Sequence, residues 1–302
     1  MRQLALKIDV DTFRGTRQGV PRLLEILQRH DARATFLFSL GLDQTGRAIK
    51  RAFRPGFLSK VSRTSVVSHY GIVTLLYGTV LPGPDIGLKC ADLMRNVRDA
   101  GHEVGIHTWN HVKWQDNVEH ATNAWVEAEL GRATSRYEEV FGAGAQVHGA
   151  AGWQMNRHAL RLTQRLGFSY ASDTRGTHPF MPVIDGELID CPQIPTTLPT
   201  LDELIGVNGL TADNVAAHLL GLTAAPGTHP HVYTLHAELE GMRLAKTFEA
   251  LLSGWQSQGY SLIPMRELLE SVSRTALPRH RVERGSVPGR SGTLMTQGTA
   301  FP

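Results

Sequence analysis

Cysteine is nearly missing from this chain: 302 residues hold two, Cys90 and Cys191, far apart and in no CxxC pairing. That scarcity argues against a disulfide framework and a cysteine-ligated zinc, fits a reducing compartment, and leaves both thiols as small buried hydrophobes. No apolar run reaches the roughly 18 residues of a conventional membrane span. Met1-Arg2-Gln3 leads straight into a strand-like run, with no charged n-region, apolar h-region or cleavage site, so Sec export is not expected. A net charge of +3 is too small to point to nucleic acid. Its distribution is uneven, however, for Gln44 to Pro84 contains no Asp or Glu at all.

What remains is an ordinary globular composition, 41% hydrophobic, able to bury a substantial core without staples. After the opening run Leu4-Ala5-Leu6-Lys7-Ile8-Asp9-Val10-Asp11, Val20, Leu23, Leu24 and Leu27 recur at helical spacing. Strand-like runs follow at 34–41, 103–107, 146–150, 168–172, 187–191, 231–235 and 261–263. Between them lie helical patterns at about 90–100, 118–141, 157–166, 212–222 and 245–258, with a closing helix at 265–273. Strands alternating with helices imply βα units and a parallel sheet. The expected fold is α/β, a distorted (β/α) barrel of about seven parallel strands. In such barrels chemistry sits at the C-terminal strand ends. Asp9, Asp11, His107, His111, Asp173 and His236 all fall at or just after predicted strand ends.

His107 and His111 stand four residues apart after the run Glu103-Val104-Gly105-Ile106. If a helical turn begins there, both rings lie on one face and reach a single metal ion. With 14 histidines in the chain, about one such pair arises by chance, and a polar surface turn is the plain alternative. His30, His69, His102, His120, His158, His218, His229, His231 and His280 read as surface or structural.

Two segments leave the repeating pattern. Gln44–Pro84 carries Arg47, Lys50, Arg51, Arg54, Lys60 and Arg63, with Phe53, Phe57, Leu58 and then an apolar stretch containing Ile72, Leu75, Leu76 and Leu81. A basic half followed by an apolar half suits a surface lying on anionic lipid, with Arg47, Lys50, Arg51, Arg54, Phe53, Phe57, Leu75 and Leu76 as its contacts. An excursion packed on the barrel is the competing reading. The domain is expected to end near residue 273, and residues 274–302, with five arginines and few core residues, read as a disordered tail.

Taken together, Asp9-Val10-Asp11, the His107/His111 pair and Leu235-His236 resemble the polysaccharide deacetylase family (NodB-like, family-four carbohydrate esterases) along about 260 residues in motif order. Within it, Lys7–Thr16, Gly105–His111, Gly149-Ala150-Ala151-Gly152-Trp153-Gln154 and Thr234-Leu235-His236-Ala237-Glu238 are similar to a particular branch. That branch deformylates 4-deoxy-4-formamido-L-arabinose carried on undecaprenyl phosphate, a step of lipid A modification linked to polymyxin resistance. The resemblance implies Asp9 as general base and Asp11, His107 and His111 as ligands of one divalent metal. Zinc, cobalt, nickel and manganese all suit such a set. It further implies His236 as general acid, oriented by Asp173. The family's third motif carries an arginine that pairs with the catalytic aspartate; here His148-Gly149-Ala150-Ala151-Gly152-Trp153 has none, and Arg175 is the candidate replacement by spacing. Trp153, in a Gly-rich strand end, is read as a substrate-binding residue that stacks on a sugar, with plain packing the alternative. The implied partners are a polyprenyl-phosphate-linked sugar and an anionic membrane surface, which puts the protein on the cytoplasmic face of the inner membrane. Two other functions compete. An N-deacetylase of chitin-like or peptidoglycan sugars would act outside the membrane, against the missing export signal. A DxD glycosyltransferase would leave the three histidines unexplained.

Overall fold

A computed structural model describes residues 2–48, 72–225, 227 and 229–302. Its strands are β1 (Arg2–Val10), β2 (Thr35–Ser39), β3 (Glu103–Thr108), β4 (Val147–His148), β5 (Tyr170–Ala171), β6 (Met181–Ile184), β7 (Glu187–Leu188), β8 (His231–His236), β9 (Tyr260–Ile263), β10 (Arg279–Gly285) and β11 (Leu294–Ala300). Seven form one parallel sheet in the order β5-β4-β3-β2-β1-β8, with β9 also on β1.

Strand β1 is buried from Leu4 to Val10, as a strand covered on both faces must be. Its alternate residues go to different cores. Leu4, Leu6, Ile8 and Val10 pack outward beneath the helices. Ala5 packs inward with Leu37, Val147, Tyr170, Val232 and Ile263, one residue from each of five other strands of the sheet. Since side chains repeat every second residue, Lys7 and Asp9 follow Ala5 up the inside of the barrel. One edge of β1 pairs with β8; the other is shared, β9 on residues 2–5 and β2 on residues 7–10. The gap between β5 and β8 is spanned by an irregular segment. Ile194 N–H bonds Ala171 O at 2.8 Å, Thr196 N–H bonds Thr174 O at 3.1 Å, and Thr197 N–H bonds Val232 O at 3.1 Å.

Helices cover the outer face. The helix Val20–Arg29 buries Val20, Leu23, Ile26 and Leu27. The helix expected from Val118 starts later, at Asn123, because the Thr122 hydroxyl accepts the Trp125 N–H and caps it; 118–120 is a separate short turn. The predicted strand at 187–191 is also different. Only Glu187–Leu188 is extended, and it forms a hairpin with β6 through Asp185 and Gly186, both at positive φ, the Asp-Gly turn favoured between antiparallel strands.

The excursion after β2 leaves the barrel on the rim where the strands end. Its described ends are clamped together: Asp43 N–H bonds Pro84 O at 2.9 Å, Gly46 N–H bonds Tyr77 O at 3.0 Å, and Arg47 Nε bonds Gly78 O at 2.8 Å. Leu75 and Leu76 are half-buried in the helix Ile72–Leu76, while Leu42, Val73, Val80 and Leu81 are exposed. Lys50, Arg51, Arg54, Phe53 and Phe57 lie outside the described residues. Among the described residues, no helix is long and apolar enough to cross a membrane.

The C-terminal segment is ordered, contrary to the compositional reading. β10 and β11 form an antiparallel hairpin, and β10 pairs with β6 to complete a four-stranded sheet, β11-β10-β6-β7. Val282, Leu294 and Met295 are buried there. Few apolar residues sufficed because an edge strand supplies the hydrogen bonds. Deleting 279–302 should therefore lower stability by several kcal/mol, since burial of such a side chain contributes about 1.5–3 kcal/mol. Urea unfolding of the truncated protein checks this; an unchanged midpoint would mean the hairpin is only loosely held.

Candidate active site

Asp9 is the penultimate residue of β1 and Asp11 follows its end, on the inward-facing parity. His107 lies near the end of β3. Asn110 then caps a new helix, His111–Asn117, its side chain accepting the Lys113 N–H at 3.0 Å. The two imidazoles therefore meet across a strand-to-helix turn, not along one helix face, with ring centroids 5.3 Å apart. Nε2 of His107 lies 3.3 Å from Asp11 Oδ1, and Nε2 of His111 lies 3.4 Å from Asp11 Oδ2.

Nδ1 of His107 bonds the Gly149 carbonyl at 2.6 Å. A carbonyl only accepts, so Nδ1 carries a hydrogen, and in the neutral ring the lone pair on Nε2 faces Asp11. Two acceptors face one another there, and Asp11 Oδ1 is buried without a hydrogen bond. Burial by itself would raise the Asp11 pKa, but without a metal the His111 and His107 imidazoles, in their protonated form, outweigh it and hold the carboxyl well below the usual range. One carboxylate and two imidazoles, with ligand atoms within 4.8 Å of one another, fit a divalent ion that keeps open positions.

Asp9 stands beside this group. Its Oδ2 pairs with Lys7 Nζ at 3.3 Å, and its Oδ1 is buried without a hydrogen bond. Lys7 is fully buried; it also donates to Ser172 O at 3.3 Å and lies over the Trp153 ring at 5.1 Å. Room for it comes from Gly149, where a Cβ would sit 2.3 Å from Leu37 and 3.2 Å from Lys7 Cε. His236 pairs in register with Asp9 across β1 and β8. Burial disfavours its imidazolium, yet the carboxylates of Asp202, Asp11, Asp9 and Glu240 together raise its pKa above the ordinary value. Glu240 accepts the His236 N–H at 3.0 Å and the Tyr233 hydroxyl at 3.0 Å, and burial pushes its own pKa up to about 7. Glu238 accepts the N–H groups of Asp11 and Thr12 at 3.1 and 2.8 Å and the Thr12 hydroxyl at 2.7 Å. This ties the first strand end to the last motif. Gly15 is required for it, since a Cβ there would lie 2.0 Å from Glu238 Oε1.

Three expectations are corrected. Asp173 does not orient His236. It is fully buried, accepts from His148 Nδ1 at 2.8 Å and from Ala150 N–H at 2.8 Å, and so holds the β4 end. Arg175 does not pair with Asp9; it bonds Glu203 at 2.6 Å and Leu198 O at 3.0 Å, because its strand-end loop points to the segment that fills the β5–β8 gap. Lys7 takes the place by Asp9 instead. Trp153 is 1% exposed and offers no open face to a sugar. Lys7, Arg175 and Arg290 surround its ring at 5.1, 5.0 and 4.6 Å. Its positive φ of 54° costs roughly 1–2 kcal/mol for such a residue. Lys7, Asp202 and Glu238 were missed from sequence. A lysine at the parity of Asp9 inside an apolar strand was the available signal for the first; nothing local marked the others.

A profile of the polysaccharide deacetylase family matches residues 3–171. A Shewanella sediminis (strain HAW-EB3) protein, "Probable 4-deoxy-4-formamido-L-arabinose-phosphoundecaprenol deformylase ArnD", is 41% identical over 98% of this chain and 94% of its own length. A Wigglesworthia glossinidia brevipalpis protein of the same name is 31% identical over 94% of this chain and 98% of its own. Among solved structures, one from Mycobacterium smegmatis whose name places it with the polysaccharide deacetylases superposes with a TM-score of 0.63 at 18% identity, covering 95% of this chain and 96% of that one. A family 4 acetyl xylan esterase from Clostridium thermocellum, in complex with a cobalt ion, gives 0.51 at 12% identity over 89% and 91%. With its parallel barrel and the strand-end cluster described above, the chain belongs to the polysaccharide deacetylase family.

Proposed function

We propose that the protein hydrolyses the formamide of 4-deoxy-4-formamido-L-arabinose linked to undecaprenyl phosphate, releasing formate and the amino-arabinose lipid. The carrying observation is the state of Asp9: one oxygen held by Lys7, the other buried, unbonded and next to the Asp11, His107 and His111 cluster. The names of the two relatives supply the substrate. A divalent ion held by the cluster would supply Lewis-acid polarisation of the formyl carbonyl and a counter-charge to the oxyanion. Asp9 Oδ1 accepts a proton from the attacking water. His236, made more basic by the surrounding carboxylates, delivers a proton to the amine nitrogen as the C–N bond breaks, because an unprotonated amide nitrogen leaves badly. Lys7 keeps Asp9 in place and balances its charge.

Formate release from the formamido lipid, compared with acetate release from the acetamido analogue, with and without chelator, tests this reading. Asp11→Ala should lose both metal and turnover. Asp9→Asn should keep the metal and lose turnover, and His236→Ala should lower kcat by roughly 10² to 10⁴ with metal retained. Loss of metal from Asp9→Asn but not from Asp11→Asn would reverse the two carboxylates. Lys7→Met should lower kcat by about 10²-fold through a misplaced base while metal content stays the same. Wild-type turnover in that variant would remove Lys7 from the site.

A tail anchored in the bilayer requires the barrel mouth to reach the headgroups. The excursion leaves that rim, with exposed Leu42, Val73, Val80 and Leu81 near its described ends and a basic cluster in its sequence. Each such cation near an anionic surface contributes about 1 kcal/mol. Reversing Arg47, Lys50, Arg51 and Arg54 together to Glu should abolish sedimentation with anionic liposomes. It should also depress activity on the full lipid far more than on a short soluble analogue. Equal losses on both would assign the segment to barrel support.

A further inference from the structure

Strands β3, β4 and β5 are neighbours in the sheet, so their C-terminal ends set His107, the Gly149–Ala150 peptide and Asp173 side by side. Asp173 is fully buried just past β5. Its Oδ1 accepts the Ala150 N–H and the His148 Nδ1–H, each at 2.8 Å. Gln193 closes a ring on the other side. Its Oε1 accepts the Asp173 N–H at 2.9 Å, and its Nε2 donates to Asp173 Oδ2 at 3.2 Å. A backbone N–H only donates, so the direction of that amide is settled and the carboxylate is held in one orientation.

The N–H of Ala150 and the carbonyl of Gly149 belong to one planar peptide group. That carbonyl accepts the Nδ1–H of His107 at 2.6 Å. A carboxylate accepting from the N–H end polarises the amide and leaves more negative charge on its oxygen. Hydrogen bonds chained in this way strengthen one another in a low-dielectric interior. The stronger acceptor pulls on the Nδ1 hydrogen and makes Nε2 the better electron donor, and Nε2 is the nitrogen 3.3 Å from Asp11. Metal-ligating histidines commonly donate their other N–H to a carboxylate or to a backbone carbonyl. Here the two stand in series, with the carboxylate behind the carbonyl.

We propose that Asp173 is a positioning residue for the metal ligand His107, acting through the Gly149–Ala150 peptide to fix the ring and strengthen Nε2 as a donor atom. The proposal rests on the reading of Asp11, His107 and His111 as one metal-holding cluster.

Zinc affinity of the whole protein, measured by competition with a chromophoric chelator, tests it. Asp173→Asn keeps the shape and loses the charge. It should weaken zinc binding about ten-fold, the low end of the usual loss on removing such a partner, because a peptide intervenes. His148→Phe removes the other bond to the same Oδ1; it should lower stability in urea and leave zinc affinity near that of the wild type. In protein with isotope-labelled alanine, followed by NMR, zinc should move the Ala150 amide proton downfield, since loading Nε2 tightens each bond of the series. That shift is read in the wild type, so it decides the matter even where a variant fails to fold. Equal zinc affinity in Asp173→Asn and the wild type would overturn the proposal. An equal loss in His148→Phe would assign the effect to strand-end packing and overturn it too, as would an Ala150 amide indifferent to zinc. Absence of zinc uptake by the wild type, or unchanged affinity in Asp11→Ala, would remove the metal cluster itself and the proposal with it.

Discussion

The Lys7–Asp9 pair at 3.3 Å lies inside the barrel with both partners almost wholly buried, and much of the surrounding architecture serves it. Removing two charges from water costs several kcal/mol each, which their attraction offsets only when the remaining donors and acceptors are satisfied. Lys7 meets that condition through Ser172 O and the Trp153 ring. Asp9 does not, since Oδ1 has no donor. The unsatisfied atom sits beside the Asp11, His107 and His111 cluster, so the strand carries its cost at the place where the proposed chemistry would use it.

Trp153 extends this constraint outward. Its ring is contacted by Lys7 from the first strand, Arg175 from the loop after β5 and Arg290 from the C-terminal hairpin. Both arginines share Glu203 Oε1, at 2.6 and 3.2 Å. A segment with the composition of a loose tail thus becomes a wall of the site, drawn in by a buried carboxylate and an aromatic face. The hairpin's docking and the position of Asp9 are linked through one tryptophan.

A second linkage joins the ends of the barrel sequence. Glu238, two residues past His236, holds the backbone of Asp11 and Thr12, and burial together with the Asp11 charge pushes its pKa up to about 8. The first and last motifs therefore move as a unit. A substitution at Gly15 would disturb Asp11 without touching it.

The succession of most strands along the chain, the parallel sheet and the residues at strand ends were legible in the sequence, because burial on both faces leaves continuous apolar runs and chemistry gathers where such runs stop. The placement of Asp9, Asp11, His107, His111 and His236 at or just after strand ends follows from that rule. The partner of each was not legible. Lys7 rather than Arg175 beside Asp9, His148 rather than His236 against Asp173, and Glu203 between two arginines all depend on which way side chains point from short, irregular strand ends. The hairpin escaped notice for a related reason: Val282, Leu294 and Met295 are too few to signal a core until β6 offers an edge. Periodicity is a local property written along the chain. Partner choice among charges is decided by distances that exist only after closure of the barrel.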